Sequence, residues 1–122
     1  MIELLAPAKV NLCLRVFKKT DSGLHNLDSI VVFCQFGDKI RIRLVEEDIV
    51  DISGPFAPML AATKSTDNLV SKARDAFRNN GGRCGPVAIH LEKHIPVGAG
   101  LGGGSADAAA VLRGLNKLAT MP

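Results

Sequence analysis

Between Lys9 and Phe17 the chain alternates. Val10, Leu12, Leu14 and Val16 fall on one side, and Lys9, Asn11, Cys13, Arg15 and Phe17 on the other. A period of two is that of a half-buried β-strand. A shorter strand is expected before it, near Ile2–Leu5. Ser29–Phe36 ("SIVVFCQF") reads as a buried strand, after a turn pivoting on Gly23. Gly37-Asp38 is expected to turn the chain into "KIRIRLV", where Ile40, Ile42 and Leu44 alternate with Lys39, Arg41 and Arg43. "IVDIS" is a further short strand, ending at Gly54-Pro55. The period then changes. Thr66 or Asp67 can cap a helix over "NLVSKARDAFRN", with Leu69, Ala73, Ala76 and Phe77 on one face, and "NNGG" stops it. "VAIHLEK" returns to strand, with Val87, Ile89 and Leu91 inward. A last helix is expected over Gly103–Ala119, apolar on nearly every side and therefore buried. The order of elements predicts an α+β domain, a mostly antiparallel sheet with helices packed on it.

With 122 residues, 47% of them apolar, the chain can bury a core as one domain or as part of a larger one. Its formal charge of +3 is mild and dispersed, unlike the clustered basic face of a nucleic-acid binder. Cys13, Cys34 and Cys84 are odd in number and lack CxxC spacing, so reduced thiols in a cytoplasmic protein are expected rather than a zinc site. Neither a signal peptide nor a membrane-spanning run is recognisable.

The densest chemistry lies in "HIPVGAGLGGGSADAAAVL", from His94 to Leu112, which holds five of the twelve glycines. Strand, glycine loop and helix together make an anion site. The first turn of a helix carries unpaired N–H groups and a partial positive charge, and glycines let an anion come close. Ser105 adds a hydroxyl for a phosphate or its Mg²⁺. A P-loop is excluded, because Gly104 stands where its lysine must be. The segment Gly98–Gly103 satisfies G-x-G-x-x-G, but a dinucleotide fold wants that glycine directly after a buried strand, and Lys93, His94 and Pro96 intervene.

Pro96, Gly98, Gly100-Leu101-Gly102, Gly103 and Gly104-Ser105-Ala106 resemble the phosphate loop of the GHMP kinase family. "APAKVNLCLRV", "SGLHNLDSIV", "GDKIRI", "DNLVSKA" and "LGGGSADAAAVLRGLN" follow in the order found in one branch of that family. That branch phosphorylates a cytidine-diphosphate-linked methylerythritol in isoprenoid biosynthesis, and the resemblance covers nearly the whole chain. It implies a fold like the second domain of ribosomal protein S5, with ATP and Mg²⁺ as cofactors and a small-molecule substrate. It also implies no nucleic-acid or membrane partner.

The resemblance makes Lys9 the catalytic lysine beside the phosphoryl acceptor. Asn11, two residues on along the strand, shares its direction and can hold substrate. Read alone, Lys9 is equally an exposed strand lysine. The resemblance assigns His25 to the cytosine ring, with Leu24 where the family carries a stacking tyrosine. It puts Asn68 and Lys93 on the adenine side; read alone, they are a helix-start residue and a strand-end charge. Asp107 is read as a residue that orders the loop.

The family's catalytic aspartate belongs to a G-A-D-V-P-like segment that these residues do not contain. Residues 1–122 are therefore expected to be a truncated N-terminal, ATP-binding domain, continuing past Pro122 into a second domain and inactive alone. The alternatives are another GHMP kinase, of mevalonate or homoserine type, and a non-catalytic phosphate- or RNA-binding module of the same fold.

Overall fold

The computed structural model describes the backbone of residues 1–19, 25–58, 69–96 and 103–120, and their side chains except those of 11–31. Six elements are described: β1 (Ile2–Lys19), β2 (His25–Leu44), β3 (Ile49–Ser53), α1 (Leu69–Asn79), β4 (Val87–Glu92) and α2 (Gly103–Ala119). The sheet order is β1-β2-β4-β3. β1 with β2 and β2 with β4 run antiparallel, and β3 with β4 runs parallel, with α1 between them in sequence. The expected α+β class with a mostly antiparallel sheet is observed.

The expected turn at Gly37-Asp38 is absent. β2 passes straight through it, and β1 likewise unites the two strands expected before Phe17. The pairing explains both. Gly37 faces Pro7 across the ladder, and the register shifts between Pro7 and Lys9. Proline has no N–H to give to a ladder, so the strands accommodate it at an irregularity. A Cβ on Gly37 would stand 2.0 Å from the carbonyl oxygen of Ala6. This glycine serves close strand approach, not reversal of the chain.

Alternation then decides what is buried. Ile2, Ala6 and Ala8 of β1, Ile40 and Ile42 of β2, and Val87, Ile89 and Leu91 of β4 are buried. Leu44, expected to continue the inward row, is 62% exposed at the end of β2. The helices cover this row with Val70 and Ala73 of α1 and Ala110, Val111 and Leu115 of α2, and Phe77 packs at the edge. Expectation and structure differ for both helices. α1 turns Val70, not Leu69, to the core, and Ala76 is exposed. Leu69 instead lies over the start of α2, 2.8 Å from where a Cβ on Gly104 would be. α2 buries one face only, and Leu112, Arg113, Asn116 and Lys117 are exposed. Two layers suffice to bury its inner face, and small alanines on the outer side cost little in water.

A polar tie closes the far end. Asp48, in the β2–β3 connection, accepts hydrogen bonds from Arg78 at 2.5 and 2.9 Å and from the Val87 N–H at 2.8 Å. Arg78 also donates to the Gly85 carbonyl at 3.0 Å. The Arg78 hydrogen bond, with that from Val87, holds the Asp48 carboxyl well below its ordinary value of 3.8.

Gly37→Ala is expected to destabilise the domain by on the order of 3 kcal/mol, because backbone at 2.0 Å must move. Gly85→Ala, whose Cβ would meet nothing within 4 Å, is the control and should stay within about 0.5 kcal/mol. Urea unfolding of both variants checks this. A depressed carboxylate contributes stability above its unfolded value and loses it as pH falls through that value and below. Asp48→Asn should therefore cost roughly 1 kcal/mol at neutral pH and flatten the loss of stability below pH 3.8. Equal acid limbs for the two proteins would show that Asp48 carries no such linkage.

Candidate phosphate-binding site

α2 starts at Gly103, and its first turn holds no acidic residue. The unpaired N–H groups of that turn, and the positive end of the helix dipole, are thus not neutralised by a local side chain. Gly103 and Gly104 are half-buried, and Ser105 is exposed beside them. The half-buried Pro96 ends the described segment that leads in from β4.

Beneath this turn lies a buried ionic chain. Lys93, one residue past β4, is 2% exposed. Its Nζ donates to Asp38 Oδ2 at 2.6 Å and to Asp107 Oδ2 at 3.0 Å. Asp38 Oδ1 accepts the backbone N–H groups of His94 at 2.6 Å and Ile95 at 2.8 Å. Asp107 Oδ1 is buried with no hydrogen-bond partner among the described residues. The chain presses directly on the helix start: a Cβ on Gly103 would stand 2.9 Å from Lys93 Nζ and 3.1 Å from Ile95 Cγ2.

One ammonium faces two carboxyls, and their environments separate them. Burial pushes Asp38 upward, but hydrogen bonding with Asp107, Lys93 and the N–H groups of Ile95 and His94 outweighs it, and the group sits below 3.8. Burial first, and then Asp38 beside it, push Asp107 up to about 8. The two carboxyls are thus held apart, Asp38 below and Asp107 above the ordinary carboxylate value.

The residues expected to act are placed as follows. Lys9 is half-buried on β1, opposite Phe33 and next to the Pro7/Lys9 register shift. Asn11 is opposite Val31 in the same pair, and His25 starts β2 opposite Lys19; their side chains lie outside those described. Leu24, Asn68, Gly98, Gly100, Leu101 and Gly102, with the caps Thr66 and Asp67, also fall outside the described residues. Lys93, expected beside the adenine, has its ammonium enclosed between two carboxyls. Asp107, read as a loop-ordering residue, is buried one residue beyond the first turn of α2 and accepts a hydrogen bond from Lys93 Nζ at 3.0 Å. Asp38 was missed. The signal was present: counting back by two from Ile42 and Ile40 puts Asp38 on the inward face.

The described residues fit a phosphate group better than a metal ion. The helix end is free of acids and crowded by glycine, whereas no group of three His, Cys, Asp or Glu among the described residues is placed to hold a metal. The two carboxyls that meet are already bridged by Lys93. Cys34 and Cys84 are free thiols, and no helix among the described residues is long and apolar enough to cross a membrane.

Known proteins resemble the chain in sequence and fold. Residues 68–122 match the GHMP kinases N terminal domain. The chain is 53% identical over 115 residues to a 4-diphosphocytidyl-2-C-methyl-D-erythritol kinase of Brucella abortus biovar 1 (strain 9-941), covering 93% of the chain and 38% of that protein. It is 53% identical over 114 residues to the kinase of the same name from Agrobacterium fabrum (strain C58 / ATCC 33970), covering 90% of the chain and 38% of the relative. A crystal structure of 4-(cytidine 5'-diphospho)-2C-methyl-D-erythritol kinase superposes with a TM-score of 0.77 at 38% identity, over 98% of this chain and 41% of that one. The chain thus spans about two fifths of the length of the proteins it matches. In sequence and fold the chain is similar to the GHMP kinases, whose N terminal domain its residues 68–122 match.

Proposed function

We propose that the chain is the N-terminal, nucleotide-binding part of a cytoplasmic ATP-dependent kinase. Its substrate is 4-diphosphocytidyl-2-C-methyl-D-erythritol, phosphorylated on a hydroxyl. The observation that carries this reading is the start of α2: a glycine-crowded turn, free of acids, seated on the buried Asp38–Lys93–Asp107 chain. It falls where the sequence resembles the family's phosphate loop, and the Brucella and Agrobacterium relatives are named for this substrate.

In this reading the N–H groups of the first turn of α2 and the Ser105 hydroxyl bind phosphate oxygens of ATP. Backbone donors fixed in a folded helix need no reorganisation as charge develops. Lys9 supplies a mobile positive charge from β1. It stabilises charge on the acceptor oxygen and the transferring phosphoryl group, where the attraction exceeds that in the ground state. Asn11, Leu24 and His25 hold the cytidine-linked substrate, and Asn68 lies on the adenine side. Mg²⁺ would come bound to the nucleotide and would neutralise phosphate charge, with the Ser105 hydroxyl the candidate to hold it. The described residues form no metal site by themselves, and the roles of Lys9, Ser105 and the helix start do not depend on one. The family's G-A-D-V-P-like segment, which the resemblance makes the source of the catalytic aspartate, is not among residues 1–122.

The test is a phosphoryl-transfer assay of the complete protein with ATP and the cytidine-linked substrate. Wild type should transfer phosphate to this substrate in preference to mevalonate or homoserine. Lys9→Ala should lower kcat by roughly 10²-fold or more with little change in KM, as expected when charge stabilisation specific to the transition state is removed. An unchanged kcat with a raised KM would make Lys9 a binding residue. Preference for mevalonate or homoserine would move the protein to another branch of the family.

A further inference from the structure

The Asp38–Lys93–Asp107 chain takes no part in the roles of Lys9, Ser105 or the substrate-holding residues, yet it joins three separate segments at the candidate site. Asp38 comes from β2, Lys93 from just beyond β4, and Asp107 from the second turn of α2. All three are almost completely buried, at 0%, 2% and 3% exposure. Asp38 also pins the path into the glycine stretch, through the N–H groups of His94 and Ile95. A Cβ on Gly103 would stand 2.9 Å from the ammonium and 3.1 Å from Ile95 Cγ2, so these neighbours would have to give way. A helix end holds a phosphate only while its N–H groups keep one direction, and small misplacements of a binding group are costly.

We propose that Lys93 and Asp107 are positioning residues for the nucleotide phosphates: Lys93, anchored on Asp38, holds the Asp107 carboxyl and with it the first turn of α2 in the orientation that presents its N–H groups to the anion. Neither side chain touches phosphate. Lys93 is enclosed by protein, and its charge is compensated inside the chain. The inference rests on the kinase reading for the identity of the anion only. The orientation of the helix start is a property of these residues themselves.

Two measurements on the complete kinase test it. In the first, Lys93→Met and Asp107→Ala should raise KM for ATP by about tenfold or more, with kcat and KM for the cytidine-linked substrate within about threefold of wild type. Asp107→Asn keeps an oxygen for the Lys93 ammonium, so it should stay within about threefold of wild type throughout. In the second, hydrogen exchange is followed at the amides of residues 107–110, whose N–H groups close the first turn of α2. Exchange should accelerate at least tenfold in Asp107→Ala and Lys93→Met and remain near wild type in Asp107→Asn.

Unchanged exchange and unchanged KM for ATP in a folded Asp107→Ala would overturn the proposal. So would an equal rise in KM for both substrates, or a loss in Asp107→Asn as large as in Asp107→Ala. If Lys93→Met does not fold, the Asp107 pair carries the test alone. Exchange needs no turnover, so a wild-type protein inert towards ATP but showing the expected exchange would refute the kinase reading and leave the positioning role standing.

Discussion

The ion-paired ammonium of Lys93 is the interaction on which the rest of this structure turns. Burying a lone charge costs several kcal/mol, and removing one partner of a buried pair typically costs about 3–5 kcal/mol. Lys93 escapes that penalty only because β2 and α2 each bring a carboxyl to within 3.0 Å of it. The requirement works in both directions. The sheet must run straight through Gly37-Asp38 for Asp38 to face inward, and α2 must begin at Gly103 for Asp107 to reach the same point. A polar contact thus joins a long strand to the start of a helix.

Around it the apolar core is ordinary in its physics. Ile40, Ile42, Ile89 and Leu91 form the sheet face, and Val70, Val111 and Leu115 cover it. Burial of such side chains supplies roughly 1.5–3 kcal/mol each, and no direction. Direction comes from the polar ties at the two ends of the domain. At one end Asp48 joins Arg78 and Val87; at the other Asp38 joins Lys93, His94 and Ile95. The second tie lies beside Gly103 at the start of α2, the element proposed to present its backbone to an anion.

Much of this was legible in the sequence, and the exceptions have physical causes. Period-two alternation located β3, β4 and the inward residues Ile40, Ile42, Val87, Ile89 and Leu91. The bounds of α2 followed from the end of the glycines and the return of helical composition. Gly37-Asp38 misled because local propensity reads Gly-Asp as a turn, whereas the close approach of Ala6 decides the matter from about thirty residues away. The face of α1 was misread by one residue, since Leu69 is drawn to the start of α2, a neighbour that helical periodicity cannot reveal. The phosphate-loop reading rests on its motif. The support beneath it was not recognised, because a Lys-Asp-Asp chain spread over residues 38, 93 and 107 leaves no spacing to recognise and becomes visible only when the strands are paired.

In the proposed site an anion is met by the start of α2 while Lys93 stays below it, engaged with Asp38 and Asp107. The most direct measurement is a crystal structure of the complete protein with a non-hydrolysable ATP analogue. Phosphate oxygens are expected within hydrogen-bond distance of the N–H groups at Gly103–Ser105, with Lys93 Nζ still between Asp38 and Asp107. Phosphates lying more than a helical turn from Gly103–Ser105, or a Lys93 ammonium withdrawn from the carboxyls to bind them directly, would contradict it.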